Sequence, residues 1–318
     1  MKNNQLPIVP ISFILSILGL IGTLYPFFFP ITSEDSSIFS GALYWFTPYA
    51  GVWISNMNIF LVSNPNGPGH LNLMSLVVFS LFILASILYT NSNGSRSNLL
   101  RICYSIILLT ASFGLLYGVL NLIFFKSENT SAYNWGIIPH FIKNIIFTTL
   151  SYKIIKQLSV DKSENILSKA DQMPVSRGMR FSHHIIDSLI SFLYVAVTLH
   201  DILVYRLFYE YLSHLDEFAF NISVYFAFLF YYIFFESIFQ ATPGKFATGS
   251  RVISKGDKPG VWRVIGRTFT RLIPFDAISF LGEEGWHDKW SKTSVVKEGR
   301  VAEQDEKITF QGSGLIDA

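Results

Sequence analysis

Charge is scarce in this sequence. Lys, Arg, Asp and Glu make up 14% of its 318 residues, against about 25% in a soluble domain. That is too little to clothe a globular surface in water, which disfavours a soluble enzyme. Cysteine is nearly absent: Cys103 stands alone, which excludes a disulfide framework and a cysteine-rich metal site. The formal net charge of +2 lacks the basic excess of a nucleic-acid binder. No Gly-x-Ser-x-Gly, His-Glu-x-x-His or Gly-x-x-x-x-Gly-Lys-Ser/Thr occurs, so the common hydrolase, zinc-protease and nucleotide motifs are missing. No internal repeat is evident, and an inverted-repeat transporter is not supported.

What is present is apolar. Half of the residues are hydrophobic, 16% are aromatic, and mean hydropathy is +0.39. Charge is also uneven. Residues 1–100 carry four charges (Lys2, Glu34, Asp35, Arg96), whereas residues 251–310 carry twenty. Crossing a hydrocarbon core of about 30 Å takes about 20 apolar residues. Six runs fit: Ile11–Phe29, Leu71–Tyr89, Ile102–Phe125, Gly136–Ile155, Ile185–Tyr205 and Phe218–Gln240. The fourth is the weakest, because Pro139, His140 and Lys143 interrupt it. The sequence therefore predicts an all-α integral membrane protein with about six transmembrane helices and an amphipathic helix at the cytoplasmic interface.

Lys and Arg gather between runs two and three, four and five, and after six. The positive-inside rule then places both termini in the cytoplasm of a cell (inner) membrane protein. Residues 1–155 form a four-span unit, 156–177 a polar cytoplasmic linker, 178–298 a second membrane domain and 299–318 a polar cytoplasmic tail. Gly41–Val62 is uncharged but contains Pro48, Asn56 and Asn58. Trp45, Tyr49 and Trp53 recur at steps of four, which suits a helix lying on the outer surface.

Polar residues concentrate at the ends of runs five and six. Arg180, His183, His184 and Asp187 fall within about 100° of one helix face. Asp187 sits inside the apolar run, where a carboxylate is costly unless it faces a partner or a water-filled cavity. Three readings stay open: a buried Arg180–Asp187 pair, a proton- or cation-handling site served by the two histidines, and a metal site of His183, His184 and Asp187. Glu236 lies just before a helix break, Gln240-Ala-Thr-Pro-Gly-Lys245, and either pairs with a cytoplasmic arginine or joins the Asp187 site. Arg263, Arg267 and Arg271 cover an arc of about 80° on a helix over Trp262–Phe275. With Lys245 they suit anionic headgroups; they equally suit burial against Asp187, Glu236 or Asp288. Asp276–Leu281 is too short to cross and reads as a dip into the membrane. Lys307–Gln311 reads as a short β-like stretch.

Several ordered elements carry a resemblance. Arg180-Phe-Ser-His-His-Ile-Ile-Asp187 opens the first helix of the second domain. Glu236, Thr242-Pro-Gly-Lys245 and Gly249-Ser-Arg-Val-Ile253 follow. Lys258-Pro-Gly, the Arg263/Arg267/Arg271 helix, Trp286-His-Asp288 and Thr293-Ser-Val-Val296 complete the series. Together they resemble the RDD family of mainly bacterial membrane proteins, whose arginine and two aspartates map onto Arg180, Asp187 and Asp288. One departure stands out: the glycine usual before the Thr-Pro-Gly-Lys motif is Gln240 here. The resemblance implies a membrane location, and for some relatives sodium/proton antiport; others look like accessory subunits.

Two functions are therefore expected as alternatives. One is transport of small cations coupled to protons, with Asp187 as the ion-binding carboxylate. The other is a non-catalytic scaffold or accessory subunit, in which the Arg/Asp set is a structural ionic lock. Neither needs a cofactor, a catalytic residue or a bound metal. The expected partners are the lipid bilayer, anionic headgroups and a membrane-protein partner or second copy.

Overall fold

A computed structural model describes residues 6–29, 42–43, 45–51, 61–64, 69–124, 130–163, 175–207, 216–254, 259–271 and 286–298. The expected membrane dip, the β-like stretch, the tail and the middle of the linker, 164–174, lie outside the described residues.

Helices dominate. In chain order they are α1 (Ile8–Phe28), α2 (Leu73–Asn91), α3 (Asn98–Phe124), α4 (Thr130–Ser163), α5 (Arg177–Ile190), α6 (Val197–His200), α7 (Asp216–Phe239), α8 (Pro243–Thr248), α9 (Val261–Thr270) and α10 (Trp286–Ser291). Two π-helical segments, Ser191–Ala196 and Asp201–Leu207, flank α6 and make one long rod from α5 onward. Among the described residues, five stretches are long and apolar enough to cross a membrane: Ile8–Phe28, Leu73–Asn91, Asn98–Leu120, Arg177–Val204 and Glu217–Phe239. The fourth expected span falls within α4, which is helical for 34 residues. Pro139, His140, Lys143 and Asn144 dilute its apolar run, so α4 is not among the five.

Packing divides the described chain into two compact units. One comprises residues from 1–155 and 186–231, the other residues from 156–185 and 232–318. In the first unit α1 packs on α2, α2 on α3, and α3 on the first π segment. The α1–α2 approach is close enough to require glycine: a Cβ at Gly19 would stand 2.1 Å from the Phe79 ring. The span containing α3 is the most enclosed, with 72% of its apolar window buried against 28–33% for the spans of α1 and α2. It therefore forms the core of this unit.

The expected helix over 41–62 is not continuous. Thr47–Gly51 is non-helical, and Leu61–Ser63 is a strand (β1) paired antiparallel with His70–Asn72 (β2). Pro48 has no N–H to give a helix and crowds the preceding turn. Backbone carbonyls freed there find side-chain donors. Thr110 Oγ1 donates to the Tyr49 carbonyl at 2.6 Å, and Tyr194 Oη to the Ala50 carbonyl at 3.0 Å.

Within the all-α architecture the second unit carries a two-stranded sheet. β3 (Ser250–Ile253) pairs antiparallel with β4 (Ser294–Lys297), with Val252 opposite Val295. The Val175 N–H adds to β4 by donating to the Val295 carbonyl at 3.1 Å. The β-branched run Val295–Val296 favours such a strand. Its two side chains are buried, as are Val252 and Ile253.

Candidate functional site

The end of α7 sets the first half of the site. Glu236 is fully buried one turn before the helix stops. Gln240 takes a left-handed φ of 61°, Pro243 opens α8, and Gly249 ends it with φ 62°. This tight reversal returns Lys245 to the helix that precedes it. Lys245 Nζ lies 2.8 Å from Glu236 Oε1.

Helix α9 supplies the second half. Arg271 Nη2 is 2.7 Å from Glu236 Oε1, and Arg267 Nε is 3.3 Å from Glu236 Oε2. Arg267 Nη1 also bonds Asp288 Oδ1, and donates to Thr293 Oγ1 at 2.6 Å. Arg180 Nη1 donates to Asp288 Oδ2 at 3.1 Å, and its Nε to the Val175 carbonyl at 3.3 Å. The Arg271 guanidinium lies over the Tyr232 ring, 3.9 Å from its centroid. The result is one connected network, Arg180–Asp288–Arg267–Glu236–Lys245/Arg271.

Its members are buried apart from Arg271, which is half-buried. Glu236 is 0% exposed, Arg267 1%, Asp288 3% and Lys245 3%. At this burial each charge is expensive alone and is retained only because an opposite charge satisfies it. Burial works to lower the Arg271 pKa, but the Glu236 carboxylate outweighs it and the pKa is raised. Of the two readings the spacing allows, the fold engages Lys245, Arg267 and Arg271 with carboxylates. They point inward onto carboxylates, while Arg263 is exposed and bonds Ser254 Oγ.

His183 braces the same turn. Its Nε2 is bonded to Thr248 Oγ1 and lies 3.0 Å from Ser250 Oγ; both hydroxyls also approach the Lys245 carbonyl at 3.3 Å. His184 is half-buried. No group of three or more His, Cys, Asp or Glu among the described residues is arranged to hold a metal.

Asp187 belongs to the first unit. It is 0% exposed, and the Tyr231 hydroxyl donates to its Oδ1 at 2.8 Å. The arginine that helix spacing aligns with it, Arg180, is engaged by Asp288, 108 residues further along. Asp187 and the network are therefore described by different partners, although sequence spacing grouped them. Tyr231, Tyr232, Thr248, Ser250 and Thr293 escaped the sequence reading as site residues. Ser250 and Thr293 did lie in the ordered motifs Gly249–Ile253 and Thr293–Val296, which was their only signal.

Residues 174–292 match the RDD family. That segment holds every member of the network and Asp187. No curated protein and no solved structure matches the chain.

Proposed function

We propose that this polytopic membrane protein transports small cations in exchange for protons, with Asp187 as the ion-binding carboxylate. One observation carries the reading: Asp187 is fully buried on a helix apolar enough to span, and its carboxylate receives the Tyr231 hydroxyl. A carboxylate at that depth is costly and is characteristic of ion and proton pathways. A carboxylate holds a proton or a small cation at one oxygen pair, not both, and that exclusion is the coupling. His183, bonded to Thr248 and Ser250, or the neighbouring half-buried His184 exchanges protons with the cytoplasm. The protein acts without covalent chemistry, in the inner membrane, with both termini in the cytoplasm.

The network of the second unit serves as an ionic lock in this reading. Glu236 and Asp288 are committed to Lys245 and three arginines, which leaves them poorly suited to bind a cation in turn. That saturation favours a second reading, an accessory subunit held rigid by the lock and docked to another membrane protein.

Everted vesicles separate the two. Asp187→Asn should abolish sodium-driven proton movement while the protein still inserts at wild-type yield. Wild-type vesicles with no such flux would overturn transport. A fall in folded yield for Asp187→Asn, with a partner co-purifying in mild detergent, would favour the accessory reading.

A further inference from the structure

The fifth span has two unlike faces. Phe181, Ile185, Leu189 and Phe192 recur at steps of four, four and three, and are 61%, 51%, 58% and 44% exposed. They form an apolar stripe suited to lipid. Asp187, Ser191, Tyr194, Thr198 and Asp201 recur at steps of four, three, four and three, and every one is buried. Hydrophobic packing alone would fill a buried helix face with Leu, Ile, Val and Phe. Here it carries two carboxylates with three hydroxyls between them. The fourteen steps from Asp187 to Asp201, at about 1.5 Å each, span about 21 Å, most of a hydrocarbon core of about 30 Å.

The helix is irregular along this face. Two π segments, Ser191–Ala196 and Asp201–Leu207, interrupt it. π-Helical turns are rare and concentrate at functional sites.

A second, independent feature faces the middle of the stripe. The non-helical stretch Thr47–Gly51 sits in the interior of the same unit, with Ala50 0% exposed. Its Ala50 carbonyl accepts from Tyr194 Oη, and its Tyr49 carbonyl from Thr110 Oγ1 in the middle of α3. Non-helical backbone at membrane depth is tolerated only where it is buried in protein or lines a water-filled cavity. Unwound carbonyls of this kind are hard oxygen donors of the sort that coordinate sodium and protons in transporters.

We propose that the Asp187–Ser191–Tyr194–Thr198–Asp201 face of the fifth span, with the Tyr49 and Ala50 carbonyls, is a hydrated route that carries protons and sodium between the two carboxylates. The route rests on the transport reading and names its path. A proton leaves one carboxylate and reaches the other through hydroxyls and water. Tyr194 Oη donates to the Ala50 carbonyl and Thr198 Oγ1 to the Tyr194 carbonyl; each hydroxyl turns from that carbonyl to a water as it passes its proton on and accepts another, so no net charge stays on the intervening residues. Sodium exchanges its water shell for the same oxygens.

Thiol accessibility and flux test it on the full chain in proteoliposomes. Cys103, the single native cysteine, is buried and is replaced by Ala. Ser191→Cys, Thr198→Cys, Leu189→Cys and Phe192→Cys are then treated with a water-soluble methanethiosulfonate cation. Positions 191 and 198 should react at least tenfold faster than 189 and 192, and sodium should slow them. Asp201→Asn and Thr198→Val should lose at least tenfold in sodium-driven proton flux at unchanged inserted yield, with partial rescue by Asp201→Glu and Thr198→Ser. Equal labelling at all four positions would overturn the route even if every flux variant failed to fold. Normal flux in Asp201→Asn and Thr198→Val, with Asp187→Asn dead, would overturn the route and leave the Asp187 reading standing. Absence of wild-type flux would overturn both.

Discussion

Glu236 collects Lys245, Arg267 and Arg271 within 3.3 Å of its two oxygens. Glu236→Gln keeps the size of the side chain and removes its charge, leaving two buried cations and the half-buried Arg271 short of compensation. Breaking a buried ionic group in this way costs about 3–5 kcal/mol, which is a large part of a domain's stability. The variant should lose membrane-inserted yield and melt well below wild type in detergent, measured by thermal unfolding of the full chain. A wild-type melting temperature would show that the cations are satisfied elsewhere. At this scale the sequence was legible in residue type but not in pairing. Glu236 read as an arginine partner because an acid before a helix break next to a cationic helix has few other options. Arg180 read toward Asp187, because spacing on one helix is the only geometry a sequence displays. Its partner Asp288 is brought by chain reversal over 108 residues, which leaves no local trace.

At the scale of elements, the break after α7 shows how a family motif and a backbone angle meet. Gln240 occupies the left-handed region at φ 61°, where a residue with a Cβ pays about 1–2 kcal/mol. Its carbonyl accepts from the Val252 N–H at 2.7 Å, so the conformation is pinned to β3. Glycine relieves the strain but costs about 0.5–1 kcal/mol in unfolded-state entropy. Gln240→Gly should therefore raise stability by a few tenths to about 1 kcal/mol, read as a small rise in melting temperature. A fall would mean that the Gln240 side chain makes a contact worth more than the strain. Helix α9 teaches a different point. Its amphipathic pattern was readable, and the pattern allowed either direction. Val264, Arg267 and Thr268 are buried, whereas Val261, Trp262 and Phe269 are 55%, 84% and 53% exposed. Periodicity reveals that two faces differ. Which one turns inward depends on whether buried carboxylates await the arginines.

For the whole molecule, the parity of spans decides where the ends lie. Five described stretches are apolar enough to cross, which is an odd number. Placing both termini in the cytoplasm, as the charge distribution does, requires α4 to cross as well. At 34 residues and about 1.5 Å per residue it is about 51 Å long, ample for a bilayer. A fluorescent protein fused after Ala318 and another fused before Met1 should both fluoresce in the cytoplasm. An active periplasmic phosphatase at the C-terminal position would place the ends on opposite sides and leave α4 outside the hydrocarbon.

The sequence by itself determined the solvent and the segment that matches a family. Long apolar runs with little charge admit a membrane, and ordered motifs over residues 174–292 carry the RDD match. Those properties are sums over local windows, so they survive without coordinates. Only the tertiary structure decided the partners. It committed Arg180 to Asp288, turned Lys245, Arg267 and Arg271 inward onto carboxylates, and drew Val175 into a sheet with β4. It also grouped the inner part of the fifth span with the first spans rather than with the motifs that follow it. Burial of charge is the reason in each case. Inside a protein a charge must meet its opposite, and which opposite it meets depends on distances that only the folded chain creates.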